Sequence, residues 1–444
     1  MRILMITHGS RGDVQPFAAA ARAAAARGHH VVLAAPAATA GLAEPYCAEL
    51  VRIHDGPNVL ATDTTVVRGL EQKFRGVRGK AQLLQSARKT RRLVALFRAD
   101  LADLVADLRR RNEIPDVVLY HASVPGHHLA DYLGAPSVLM CPQAYWVPNG
   151  TFPDPSFPFR VPRVCNRATY VASPAILWTY AGGSAGWRRR QLGLRHRPYG
   201  KLRQVDGSPT TVLNAFSRLL LPDGMHYPDD VHTTGFWTLP LADGWRPDRA
   251  LARFLSAGPP PLYVGFASSV TAEPGALGHL VGAAVREAGA RAVVVGGWTG
   301  MRPDDLGPDT ILVDDVPFDW LFPRVSAVVH HGGLGTLATA MATGRPQVVC
   351  PSFPDQWFNA RRLHELGVAP EPLARRRLTG DGLVHAVREV LGDPRYAARA
   401  TELGTDIRAE RGAEAAVDVL EKVAAGTAVR GALSRVAVRQ RETE

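Results

Sequence analysis

A chain of 444 residues is longer than one common domain, so two units of roughly 200 residues are expected, and 46% hydrophobic with 21% charged residues is ordinary globular composition that permits large cores. The net charge of +11 concentrates between Arg68 and Arg111, with further clusters at Arg188-Arg189-Arg190 and Arg375-Arg376-Arg377; such a balance suits nucleic acid, anionic lipid or phosphate-bearing ligands, but no zinc-finger spacing or RNA-binding aromatic motif accompanies it, and nucleic acid is not expected as a partner. Cys47, Cys141, Cys165 and Cys350 are scattered without metal-ligand spacing, MRILMIT is too short for a secretory core, and no apolar run of about 20 residues occurs, so disulfides, secretion and membrane spans are not expected and a cytoplasmic location is.

Residues 2–7 (RILMIT) read as a first strand, GSRGDVQP as a turn, and Val14 to Arg27 as a helix ended by Gly28, before the strand VVLAAP. This β–turn–α–β opening predicts a parallel, doubly wound sheet. Ala81 to Arg111 is helical in pattern; DVVLY, a helix from Gly126 to Leu133, and SVLMCP follow. Between Gln143 and Pro162, Tyr145, Trp146, Phe152, Phe157 and Phe159 alternate with prolines, a loop suited either to lining a binding site or to lidding the core. Tyr170 to Leu192 reads as a helix and TTVLNAF (210–216) as the last strand of the first domain. The junction falls near 220–258, before GPPP. A second α/β series then runs LYVGFAS, a helix near Leu277 to Ala288, RAVVVGG, ILVDD and AVVHHGG. LTGDGLVHAVREVLG and Ala397 to Ala424 are helical, and weak patterning after Thr427 predicts a frayed tail. The expected division is 1–225, 226–404, a helix at about 405–425 able to pack back on the first domain, and a flexible 426–444.

The chain is organised around Ala327 to Ala360, AVVHHGGLGTLATAMATGRPQVVCPSFPDQWFNA. An apolar strand ends at His330-His331; Gly332, Gly333 and Gly335 follow, and Thr336 opens a small-residue helix. Such a turn aims free N–H groups and the positive dipole end at one point, a site for phosphate. A second strand, Gln347 to Cys350, leads to Asp355 and Gln356, polar groups suited to sugar hydroxyls. Ligands of open α/β sheets sit outside the carboxyl ends of the strands, so these groups converge.

In GSRGDVQP, Gly9 and Gly12 permit a tight turn, Asp13 stands where a helix N-cap belongs, and Pro16 suits the first turn. Asp13 is either only a cap or a general base facing the interdomain cleft. Burial would raise its pKa, and a helix N-terminus would oppose that. His8 is an alternative base.

The order His331, Gly333, Gly335, Thr336, Asp355-Gln356 resembles the nucleotide-sugar signature of the family 1 glycosyltransferases, inverting enzymes of GT-B fold. GSRGD, DDVHTTGFW, GPPPLYVGFASS, DVPFDWLFPRVSAVVHHGG and PLARRRLTGDGL are similar to its bacterial natural-product and sterol glucosyltransferase-like branch. The resemblance implies two facing Rossmann-like domains and Asp13 as base, with Ser10 orienting phosphate or acceptor. It also implies Ser268 on a phosphate, although Ala267 replaces the family's glycine. It further implies Trp298 near the nucleobase, the Val316 backbone reading the pyrimidine and His331 on the diphosphate; His330 is expected to be a core residue. The implied reaction is a metal-independent direct displacement from a nucleotide sugar onto a hydroxyl of a bulky apolar acceptor. UDP-glucose is favoured as donor and a dTDP-deoxysugar is the runner-up; no cofactor is expected beyond this co-substrate. Two other readings compete: a non-catalytic nucleotide-sugar-binding module, and a membrane-surface glycolipid enzyme resting on the basic 68–111 segment. A dehydrogenase is disfavoured because the first turn is not GxGxxG.

Overall fold

A computed structural model describes residues 1–60, 76–157, 159, 161–172, 174–175, 183–241, 244–266, 274–296 and 301–441. Twelve strands form two all-parallel sheets among these residues. Unbroken apolar runs such as Ile3 to Ile6, all fully buried, suit strands covered by helices on both faces.

The first sheet contains β1 (Arg2–Ile6), β2 (His30–Pro36), β3 (Glu49–Ile53), β4 (Val117–His121), β5 (Ser137–Cys141), β6 (Thr211–Asn214) and β7 (Val231–Thr233), in the order β3-β2-β1-β4-β5-β6-β7. Central β1 places Met5 opposite Leu33 on one side and Leu119 on the other. The second sheet contains β8 (Leu262–Gly265), β9 (Ala292–Val295), β10 (Thr310–Val313), β11 (Val328–His330) and β12 (Gln347–Val349), in the order β10-β9-β8-β11-β12. Each order reverses once, between β1 and β4 and between β8 and β11, and the crevices beyond those reversals are where such sheets bind ligands.

Three boundaries differ from the sequence reading. The strand at 211–214 is not the last of the first lobe, because β7 pairs with β6 beyond it, so the first lobe extends past 225 to at least Thr233. The helical stretch after Ala397 is two helices, Pro394–Ala409 and Gly412–Arg441, broken at Arg411, whose φ of 47° is left-handed. The second of these carries helical backbone through Arg441, past the point where patterning fades. The helix expected at 170–192 is in part outside the described residues; within them, helix Ala185–Gln191 is formed.

Helix Gly412–Arg441 does not stay with the second lobe. Ala413, Ala416, Val417 and Leu420 join Phe17, Ala20 and Ala24 of helix Arg11–Ala26 in the first lobe's core. The alanine-rich face of Arg11–Ala26 lets the two helices approach closely, and Arg27 pairs with Asp418 at 2.6 Å at the rim. A separate apolar cluster joins the lobes: Phe216, Leu221 and Phe236 meet Leu337, Met341 and Leu363. Arg362 donates to the carbonyls of Leu220 and Leu221 at 3.2 and 2.9 Å across the same seam. Among the described residues, no helix is long and apolar enough to cross a membrane.

Candidate active site

The turn after β1 is built by Gly9 and Ser10. Gly9 has φ 143°, and a Cβ there would stand 2.1 Å from Oδ2 of Asp13, so only glycine lets the chain pass over the carboxylate. Asp13 is not the N-cap expected from sequence: Ser10 holds that position and the helix begins at Arg11, so Asp13 sits in the first turn with its carboxylate turned back. The Ser10 backbone N–H and hydroxyl donate to Oδ2 at 2.8 and 3.2 Å. Ser10 is thus committed to Asp13, while its own surface is exposed.

Asp13 keeps about a quarter of its side chain open at the crevice, yet the protein crowding around it raises its pKa; the Ser10 hydrogen bonds and His8 act against that rise. The alternative base, His8, has its Nε2 3.0 Å from the Asp55 carbonyl oxygen, and burial lowers its pKa. Gly56 makes room for it, since a Cβ there would lie 2.6 Å from the ring.

In the second lobe, β11 delivers His330 and His331 to opposite fates. His330 is fully buried, with Nε2 2.8 Å from Gln347 Oε1 and Nδ1 accepting the Gly332 N–H at 3.1 Å; desolvation holds its pKa at about 3, a core residue. Gly332 turns the chain with φ 91°, fixed by Asn359 donating to its carbonyl at 2.9 Å. His331 lies against Gly333, where an added Cβ would come 2.3 Å from Nε2. Its Nδ1 is buried without a hydrogen-bond partner among the described residues. Burial, with the nearby Arg375 guanidinium, holds its pKa at about 4, so the ring is neutral at pH 7. Helix Leu334–Ala342 then starts at N-cap Gly333 with no side-chain cap among the described residues, so its first-turn N–H groups have no partner within the helix. Gly335 is exposed with open space where a Cβ would be, and Thr336 is buried in that first turn.

Beyond β12, helix Pro354–Glu365 places Asp355 and Gln356 in its first turn. The Gln356 Oε1 accepts the N–H groups of Ser352 and Phe353 at 2.8 and 3.1 Å, so only its amide nitrogen is left for a ligand, less than the sequence reading assigned. Asp355 has its pKa raised by burial and, in part, by the negative charge of Asp13. Tyr145, from the loop after β5, is raised by burial and then by Asp355, Asp154 and Asp13. One carboxylate from each lobe and this phenol are therefore within electrostatic reach of one another. Val316, after β10, has a fully buried side chain in the second lobe's core. Ser268 and Trp298 lie outside the described residues.

Sequence reasoning missed His121, the last residue of β4. Its Nε2 is 3.5 Å from Asp13 Oδ1. The signal was available: once β4 pairs with β1, the end of DVVLYH must adjoin the turn that follows RILMIT. It also missed Lys201, whose Nζ donates to the Ala122 carbonyl at 2.9 Å and lies 4.2 Å from the Trp146 ring centroid; desolvation lowers its pKa to about 8. A cavity of about 570 Å³ lies elsewhere, on the interlobe seam beside Met225, Leu366 and Glu410.

Residues 299–423 match the family described as erythromycin biosynthesis protein CIII-like, C-terminal domain. O-mycaminosyltylonolide 6-deoxyallosyltransferase of Streptomyces fradiae is 34% identical over 432 residues, covering 95% of this chain and 97% of that protein. Sterol 3-beta-glucosyltransferase of Emericella nidulans is 29% identical over 95% of this chain, which spans only 30% of that protein's length. Among solved structures, the glycotransferase of kitacinnamycin aligns with TM-score 0.66 at 22% identity, covering 95% of this chain and 98% of the other. Glycosyltransferase VinC in complex with dTDP aligns with TM-score 0.62 at 21% identity, covering 96% and 99%. At these identities the structures speak for the fold alone, and the two facing parallel-sheet lobes are that fold. With an end-to-end relative at 34% identity and this architecture, the chain belongs to the family 1 glycosyltransferases of GT-B fold.

Proposed function

We propose that the protein transfers a sugar from a pyrimidine nucleoside diphosphate to a hydroxyl of a bulky apolar acceptor, with inversion and without a metal. The observation that supports this reading is that Asp13 from the first lobe and Asp355 from the second both act on Tyr145, and that the charge of Asp13 reaches Asp355. Asp13 takes the proton of the acceptor hydroxyl as that oxygen bonds to the anomeric carbon. The bond to the diphosphate breaks on the opposite face, and the electron pair leaves with the nucleoside diphosphate. The free N–H groups at the start of helix Leu334–Ala342, Thr336 and the neutral His331 ring take up the leaving charge, as preorganised donors do. Asp355 and the Gln356 amide receive the sugar hydroxyls and the Val316 backbone faces the base, while the family resemblance alone gives Trp298 to the base and Ser268 to a phosphate.

Tyr145 and the aromatic loop around it supply the apolar wall for the acceptor. On the donor, the 34% identity to a 6-deoxyallosyltransferase over nearly all of both chains moves weight from UDP-glucose towards a dTDP-deoxysugar.

The test is a donor screen, UDP-glucose against dTDP-deoxysugars, each with hydroxylated polyketides and sterols, read by product mass and by the anomeric configuration. A gain of one sugar, inverted and undiminished by EDTA, supports the reading. Nucleotide binding with no product from any pair returns the protein to a binding module.

A further inference from the structure

The Asp13 carboxylate is gripped unequally. Oδ2 accepts both the N–H and the hydroxyl of Ser10, whereas Oδ1 faces Nε2 of His121 at 3.5 Å. The tautomer of His121 follows from its other nitrogen. Nδ1 accepts the Ser123 backbone N–H at 3.2 Å and lies 2.7 Å from the Ser123 hydroxyl, so the ring proton is on Nε2, aimed at Asp13. The ring is 4% exposed, packed against Phe17, and held neutral by burial. At 3.5 Å the Nε2–H makes no full hydrogen bond, and it has no other partner among the described residues. A buried donor in that condition is costly unless something nearby completes it.

We propose that His121 is a positioning residue for the transfer: its Nε2–H closes on Asp13 Oδ1 when the site is occupied, fixing the oxygen whose remaining lone pair receives the acceptor's proton. This rests on the assignment of Asp13 as base. Oδ2 is already committed to two donors, so Oδ1 is the oxygen with room for that proton. His121 keeps its own proton throughout and carries no charge; it orients the carboxylate and favours its ionised form. The titratable groups facing the pair are His8, Tyr145 and Asp355 around Asp13, and His8 and Lys201 around His121.

The experiment titrates the Asp13 carboxyl carbon by NMR in full-length protein labelled at aspartate, the signal assigned by its loss in Asp13→Asn. Removing the donor in His121→Ala raises the Asp13 pKa by about one unit, and His121→Gln, whose amide N–H reaches the same place, brings it back. In the donor–acceptor pair found active, His121→Ala lowers kcat by about 10- to 100-fold with the donor KM unchanged, and the acid limb of the rate profile moves up with the titration. If alanine unfolds the chain, His121→Phe fills the space without donating and carries the same expectation. An Asp13 pKa equal in wild type and His121→Ala overturns the inference, as does a kcat loss that glutamine fails to relieve. Full transfer by Asp13→Asn instead refutes the base assignment, and the titration tells the two failures apart.

Discussion

Arg11 Nη1 lies 3.0 Å from each carboxylate oxygen of Asp315, so the residue beside Ser10 in the first lobe grips the residue beside Val316 in the second. The pair spans the crevice at its rim, with side chains 49% and 70% exposed, where solvent and salt screen it. Arg11→Ala is expected to cost less than about 1 kcal/mol, with the difference from wild type vanishing in high salt. Thermal melts at low and high ionic strength check this, and a larger, salt-insensitive loss would make the pair a principal tie between the lobes.

Asp13→Asn is expected to lower transfer by about 100- to 10,000-fold while nucleotide binding survives. The same variant melts no lower than wild type. The folded pKa of Asp13 stands above its ordinary 3.8, so ionisation works against the fold. That contribution erodes stability as pH rises from 3.8 through the raised value, and asparagine removes it. Calorimetry with isothermal nucleotide titration separates the two effects; a wild-type rate would leave Asp13 as a helix residue only.

The rate should fall on the acid side as pH drops through the raised Asp13 pKa. Burial holds His8 and His121 below the imidazole value of 6.5, and on the assignment of Asp13 as base the limb belongs to Asp13. His8→Gln therefore keeps both transfer and the limb. Losing the limb in that variant, with Asp13 intact, would exchange the roles of the two residues.

Gly333 and Gly335 give opposite expectations. Alanine at 333 collides with the His331 ring, so it should disturb both the fold of the turn and the donor KM. Alanine at 335 meets no described residue beyond its own turn within 4 Å and improves helix propensity, so stability should hold or rise by up to about 1 kcal/mol. Yet its methyl group intrudes where a phosphate would approach the backbone, and donor affinity should fall. Paired melting and nucleotide-binding measurements decide the matter: unchanged affinity in Gly335→Ala would move the phosphate away from this helix start.

Gly412→Ala should destabilise by about 1–3 kcal/mol, because the new Cβ would stand 2.6 Å from the Phe236 carbonyl oxygen, backbone that cannot swing aside. Proteolysis should then release the C-terminal helix first. A variant as resistant as wild type would show that the helix tolerates a shifted seat.

The two-lobe parallel architecture was legible because buried strands write themselves as apolar runs, RILMIT, VVVGG and AVVHH among them, and because glycines mark the turns after β1 and β11 into their helices. What sequence could not supply were pairings between distant elements. Strand β7 is three residues of mixed polarity, VHT, visible only through its pairing with β6. The break at Arg411 follows from the close pass of Gly412 against Phe236, a contact with no local signature. His121 lies more than 100 residues from Asp13 in sequence, and Gln356 reads as a sugar ligand until its carbonyl oxygen is found closing its own helix.

The return of the last helix has a mechanical corollary. The backbone passes from one half of the molecule to the other after β7 and comes home at Gly412, and the two passages touch at Phe236. A single tether would let the halves swivel in any sense. Two covalent threads at one place restrict how the halves can turn about each other more than one would, and a twist of one half against the other must strain both passages together.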